Sequence, residues 1–355
     1  MKPTQELHDL GQSLWIDNIT RTMLDDGTLA RYIDELSVTG LTSNPTIFDK
    51  AIGGGSAYDD QVAELQGRGL DGEELFFELA LTDLGRAAEL FRDVHERTTI
   101  DGRVSLEVSP NLADDAAATI KQAAELYGRA QENFFIKIPG TEAGREAIEE
   151  TIFAGIPVNV TLLFSTEHYL GAADAYMRGL ERRVEAGRNP DVASVASLFI
   201  SRWDAAVAET VPDELRNRLG LAVAKGAYAA YRELLDSDRA MRLRNEGAKA
   251  QRLLWASTGT KDPDASDTLY IEGLASPFTV NTMPEKALHA FADHGTVGDP
   301  LPRDGGDAEE VLKAFNDAGI DTDALATKLQ EDGKTAFVAS WNELLETISK
   351  QRQAA

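Results

Sequence analysis

The sequence predicts an α/β fold, a single (β/α)8 TIM barrel with additional N- and C-terminal helices. Three observations carry that expectation. Eight short apolar runs recur along the chain, stretches with alanine, leucine and glutamate at i, i+3, i+4 spacing separate most of them, and nearly every run ends in polar residues. A chain of 355 residues is long enough for one large barrel, because barrels routinely exceed the usual domain size. Residues 1–355 are expected to form one barrel domain, with helices from about residue 284 onward covering it.

Taken in order, the expected strands are 13–17, 40–43, 104–108, 134–138, 158–163, 194–199, 252–256 and 268–271. Between them, 73–97, 112–129, 142–153 and 166–187 read as amphipathic helices. A doubly wound sheet would show a glycine-rich phosphate turn after its first strand, and Trp15-Ile16-Asp17-Asn18-Ile19 has none. Gly53-Gly54-Gly55 lacks the G-x-G-x-x-G spacing and reads as a flexible loop. The polar segment 258–267, with Gly259 and Pro263, reads as a long strand-to-helix loop. Residues 284–292 and 307–350 read as helices that complete the barrel.

Composition removes whole classes of function. Sixty acidic against 35 basic residues give a net charge of −25, which argues against nucleic acid and anionic membrane as partners. The absence of cysteine excludes disulfides, thiolate metal sites and a cysteine nucleophile. No stretch approaches the roughly 20 apolar residues of a membrane span, and the first residues lack the apolar core of a signal peptide, so a cytoplasmic location is expected. His8, His95, His168, His289 and His294 are scattered without a helical i, i+4 pair and are read as structural or surface residues, not metal ligands. An outer ring of amphipathic helices is compatible with a monomer or a homodimer.

Lys137 stands alone in the apolar run Phe134-Phe135-Ile136-Lys137-Ile138-Pro139. A strand apolar on both faces is buried, so its ammonium must point to a place the protein has prepared. Burial disfavours the charged form and can hold a lysine well below its ordinary pKa of about 10.4. The free amine can attack a carbonyl and form a Schiff base. The alternative is an edge-strand lysine whose head snorkels to solvent.

In a barrel enzyme the chemistry gathers at the C-terminal ends of the strands. Here the first strand ends in Asp17, the second runs into Thr42-Ser43-Asn44-Pro45, and the third carries Glu107. Lys137 lies on the fourth, Asn159 and Thr161 on the fifth, Ser197 on the sixth, and Ser257 follows the seventh. An amine nucleophile needs a carboxyl group to move protons through the carbinolamine, the role expected of Glu107. Bond cleavage beyond the imine carbon needs a base for a hydroxyl proton, the role expected of Asp17. Asn44, Asn159, Thr161 and Ser197 can hold the hydroxyls of a polyol without adding charge. Arg202 can grip a phosphate at the barrel rim, and Lys261 can supply a second positive charge. A salt bridge for Glu107 and a helix cap for Asp17 stand as alternatives. So does a surface ion pair for Arg202, and for Lys261 that reading is the favoured one.

The stretches Leu14-Trp15-Ile16-Asp17, Gly40-Leu41-Thr42-Ser43-Asn44-Pro45-Thr46, Arg103-Val104-Ser105-Leu106-Glu107-Val108, Ile136-Lys137-Ile138-Pro139, Pro157-Val158-Asn159-Val160-Thr161-Leu162-Leu163-Phe164 and Thr279-Val280-Asn281-Thr282-Met283-Pro284 resemble transaldolases, in particular their longer-chain bacterial branch. The resemblance implies a (β/α)8 barrel that transfers a dihydroxyacetone unit between sugar phosphates in the pentose phosphate pathway. Sedoheptulose 7-phosphate and glyceraldehyde 3-phosphate would give erythrose 4-phosphate and fructose 6-phosphate, with neither metal nor organic cofactor. It implies that Lys137 is the Schiff-base lysine, Glu107 an acid/base acting through a water, and Asp17 the acid/base of carbon-carbon cleavage. By the same resemblance Asn44, Asn159, Thr161 and Ser197 contact substrate or water, Phe199 lines the site, and Arg202 contacts phosphate. Two departures stand out. The better-known branch has a second phosphate-binding arginine soon after its seventh strand, where this chain has Ser257-Thr258-Gly259-Thr260-Lys261 with longer spacing; Leu106 and Leu198 replace residues of other branches. A Schiff-base aldolase that releases its three-carbon fragment, and a sugar-phosphate-binding protein without turnover, are the rival readings.

Overall fold

The structure is a computed structural model that describes residues 1–351. Eight parallel strands close into a barrel in chain order: β1 Ser13–Asp17, β2 Val38–Thr42, β3 Arg103–Glu107, β4 Phe134–Pro139, β5 Val158–Leu163, β6 Ser194–Phe199, β7 Arg252–Ala256 and β8 Val280–Met283. Each pairs with the next, and β8 closes on β1. No described helix is long and apolar enough to cross a membrane.

Side chains on a strand alternate between faces, so parity decides what enters the barrel. Leu14, Ile16, Val104, Leu106, Ile136, Ile138, Val158, Val160, Ala196 and Leu198 all belong to the core under the helices. Their neighbours at the opposite parity face the barrel interior. There Trp15 lies 6.0 Å from the Phe135 ring, in a second apolar cluster with Val195, Leu254 and Val280. The interior is therefore packed beneath the strand ends, as barrels require. At the N-terminal end a polar plug closes it: Arg252 Nη1 donates to Asp101 Oδ1 at 3.0 Å, and Ser13 Oγ donates to Asp101 Oδ2 at 2.6 Å.

The eighth strand differs from expectation. Residues 268–271 fall in the short helix Leu269–Gly273 and its cap, and the strand is Val280–Met283. A four-residue apolar run does not distinguish strand from buried helix by periodicity, and Tyr270 and Ile271 are buried as helix residues. The true strand is disguised by polar residues with barrel partners. Thr282 Oγ1 lies 2.6 Å from Thr42 Oγ1, and Asn281 Oδ1 accepts from Thr258 at 2.9 Å.

Two of the long helices are divided. The segment expected as 73–97 breaks at Phe91 into Gly72–Leu90 and Arg92–Thr98, and the C-terminal one breaks at Gly319, whose φ of 89° ends Ala308–Asp317 before Thr322–Gln351 begins. The segment 258–267 is a loop, as its composition suggests.

Gly40 faces the Trp15 indole so closely that a Cβ would sit 2.5 Å from Nε1. Trp15 is fully buried and cannot retreat toward solvent. Gly40→Ala is therefore expected to lower stability by about 1–3 kcal/mol through overpacking. Urea unfolding checks this, and an unchanged midpoint would show that the indole has room to move.

Candidate active site

Interior parity continues to the C-terminal strand ends and brings the polar residues of separate strands together. Glu107 on β3 and Lys137 on β4 are register partners, as are Lys137 and Asn159 on β5. Lys137 Nζ donates to Glu107 Oε2 at 3.0 Å and to the Ser43 carbonyl at 3.2 Å. Both side chains of the ion pair are 7% exposed. Below them a hydrogen-bonded chain crosses three strands: Ser197 Oγ donates to Asn159 Oδ1 at 2.7 Å, and Asn159 Nδ2 donates to Ser105 Oγ at 3.1 Å. Asp17 accepts from Thr42 Oγ1 at 2.7 Å and is near enough to Lys137 for their charges to interact.

Two carboxylates thus flank one lysine. Burial raises the Glu107 pKa, opposed by the Lys137 charge and the hydrogen bond from it. Asp17 is also raised, chiefly by burial, with Lys137, Thr42 and Lys261 acting against the rise. Both groups are held readier to accept a proton than a solvated carboxylate.

These groups open onto a cavity of about 320 Å³, within the usual range for small-molecule sites. Asp17, Asn44, Lys137, Thr161, Ser197, Phe199, Arg202, Ser257 and Lys261 line it, while Glu107 and Asn159 lie behind Lys137 and Ser197. Asn44 caps the helix Pro45–Gly53 by accepting from the Ile47 amide, which leaves its amide NH2 for other partners. Thr161 Oγ1 is buried without a hydrogen-bond partner among the described residues. Ser257 is paired with Ser201 at 2.8 Å. Asp17 does not cap a following helix; Thr20 does that.

At the mouth stand Arg202, Lys261 and Lys50, none with a carboxylate at ion-pair distance among the described residues. Lone cations concentrated in one cavity of so acidic a chain suit an anionic ligand. Arg202 does not make the surface ion pair that was its alternative. It lies over the Phe199 ring at 5.1 Å and the Phe337 ring at 5.9 Å. Backbone strain gathers here as well. Leu162, at the register shift of β5, and Ser257, just past β7, have φ of 58° and 55°, each a cost of roughly 1–3 kcal/mol.

Lys50, Thr46, Thr282 and Phe337 also line the cavity. Thr46 and Thr282 lie inside the quoted motifs, but no strand-end rule pointed to Lys50, one turn into a helix, or to Phe337, far along the C-terminal helix. No described cluster of acidic residues and histidines could hold a metal.

The profile of the family described as Transaldolase/Fructose-6-phosphate aldolase matches residues 14–348. A transaldolase of Saccharopolyspora erythraea is 43% identical, covering 99% of this chain and 98% of the relative. One of Arthrobacter sp. is 45% identical over 97% and 95%, and one of Mycobacterium tuberculosis 44% identical over 95% and 93%.

The raised Asp17 pKa has a sign that can be tested. A group with a raised folded pKa contributes stability below its unfolded value, near 3.8, and loses it as pH climbs through the folded value. Asp17→Asn keeps an acceptor for Thr42 and removes the titration. It should melt above the wild type at pH 8, and the gap should narrow as pH falls toward 4. A gap that is constant with pH would refute the assignment.

Proposed function

This chain belongs to the transaldolase/fructose-6-phosphate aldolase family and is a transferase, and on that premise we propose that it moves a dihydroxyacetone unit between sugar phosphates through a Schiff base on Lys137. The donor is sedoheptulose 7-phosphate and the acceptor glyceraldehyde 3-phosphate, giving erythrose 4-phosphate and fructose 6-phosphate in the cytoplasmic pentose phosphate pathway. The observation that carries the reading is the buried Lys137–Glu107 pair, its lysine lining a cavity that also holds Arg202, Lys261 and Lys50, cations with no carboxylate at ion-pair distance among the described residues.

Glu107, raised by burial, takes the ammonium proton across the 3.0 Å hydrogen bond and leaves a free amine. The amine attacks the ketose carbonyl, and Glu107 returns the proton to the departing hydroxyl, so that water leaves and the imine forms. Asp17 then takes the proton of the C4 hydroxyl. The C3–C4 bond breaks, its electron pair passes into the iminium as an enamine, and the aldehyde departs. In the forward step the enamine carbon attacks the acceptor aldehyde, and Asp17 gives its proton to the new alkoxide. Arg202, with Lys261 and Lys50 nearby, holds the phosphate of both partners. Asn44, Thr161 and Ser197 receive sugar hydroxyls, Phe199 and Ser257 shape the wall, and Asn159 holds Ser197 in place.

Borohydride reduction in the presence of fructose 6-phosphate is expected to leave a three-carbon adduct on Lys137, located by peptide mass mapping. Folded protein with no adduct would overturn the proposal. Lys137→Ala should form none and transfer nothing. Glu107→Ala should slow imine formation by roughly 10²- to 10⁴-fold, the usual worth of a positioned acid/base, as read by single-turnover trapping.

A further inference from the structure

The helix Thr322–Gln351 presents one stripe to the barrel rim, at positions 330, 333 and 337, and Phe337 of that stripe lines the cavity. Gln330 Nε2 donates to the Leu162 carbonyl at 2.9 Å, tying the helix to the strained rim of β5. At Gly333 a Cβ would stand 3.0 Å from Leu162 Cδ2 and 3.4 Å from Arg202 Nη1, so the missing side chain leaves room for the guanidinium. Phe337 is 8% exposed, with its ring centre 5.6 Å from Lys137 Nζ and 6.5 Å from the Phe199 ring. The stripe anchors the helix, makes space for the cation at the mouth, and lays an aromatic face over the amine.

We propose that Phe337 determines how the three-carbon unit held on Lys137 is divided between transfer to an aldehyde and release by water. This rests on the Schiff-base reading above. Both routes start from the enamine left when the first aldehyde departs. In transfer, the enamine carbon bonds to the aldehyde carbon and the alkoxide takes the proton of Asp17. In release, the enamine carbon takes the proton held by Asp17 and becomes the iminium; water adds to the iminium carbon and gives a proton to Glu107. The carbinolamine then loses its amine, yielding dihydroxyacetone and free Lys137. Release alone requires a water at the imine carbon. A phenyl ring offers water no strong hydrogen bond, and its face attracts the iminium cation. Phe337 thus excludes the competing nucleophile while Arg202, beside it, receives the phosphate of the acceptor. The residue comes from the C-terminal helix, outside every strand-end position that forms the amine site.

The test compares full-length wild type, Phe337→Ala and Phe337→Leu. Two rates are measured from fructose 6-phosphate: dihydroxyacetone released without acceptor, and sedoheptulose 7-phosphate formed with erythrose 4-phosphate. Phe337→Ala should raise the ratio of release to transfer by roughly five-fold or more, the factor that one cation–π contact of ordinary strength supplies. Phe337→Leu, which keeps most of the bulk and is the milder change to the fold, should raise it less. Loss of stability alone would depress both rates together and leave the ratio in place. If the variants form the Lys137 adduct and divide it as the wild type does, the inference is wrong. Should Phe337→Ala not fold, an unchanged ratio in Phe337→Leu is enough to overturn it. A wild type that forms no adduct would instead remove the Schiff-base reading itself.

Discussion

A lysine and a glutamate held together out of water constrain everything else at the mouth of this barrel. Transferring either charge alone from water is costly, and removing one partner of a buried pair typically costs 3–5 kcal/mol because the other is left uncompensated. Lys137 and Glu107 meet at 3.0 Å because β3 and β4 are in register at these two residues and both lie at interior parity. Their surroundings follow from the same need. The Ser43 carbonyl takes a second hydrogen bond from the amine, and the Ser105, Asn159 and Ser197 chain beneath gives the polar layer internal partners.

The same burial that makes the pair expensive makes it useful. Desolvation favours the uncharged forms, so Glu107 and Asp17 are held ready for protons and the amine has acceptors close by. A net charge of −25 would repel sugar phosphates at long range, but Arg202, Lys261 and Lys50 concentrate positive charge where the cavity opens. Left-handed backbone at Leu162 and Ser257 shows that local stability yields to the shape of this rim.

Most of the barrel was legible in the chain because strands buried on both faces read as continuous apolar runs, and six of the expected runs match strands to within a residue at either end. The second also lies on its strand, with β2 beginning two residues earlier at Val38. The eighth failed for a definite reason. Val280-Asn281-Thr282-Met283 carries hydrogen-bonding groups that serve Thr258 and Thr42, so its strand is polar, whereas Leu269-Tyr270-Ile271 is apolar because a short helix packs there. The break at Phe91 was likewise hidden, since helical periodicity continues through it.

By itself the sequence determined the alternation of strands and helices, the absence of a cysteine nucleophile, and the amine and carboxylates at strand ends, because these depend on local residue type and a period of two or 3.6. Tertiary structure alone decided which of those residues touch. Barrel closure put Asp17 and Thr282 beside Thr42 from distant parts of the chain, placed Asn159 behind Ser197 with both ends of its amide occupied, and left the cations without carboxylate partners among the described residues. It also carried Phe337 across to Lys137, 200 positions away in sequence. An amphipathic helix records that one face is buried but not what it is buried against, and no local pattern encodes the contact that covers the amine.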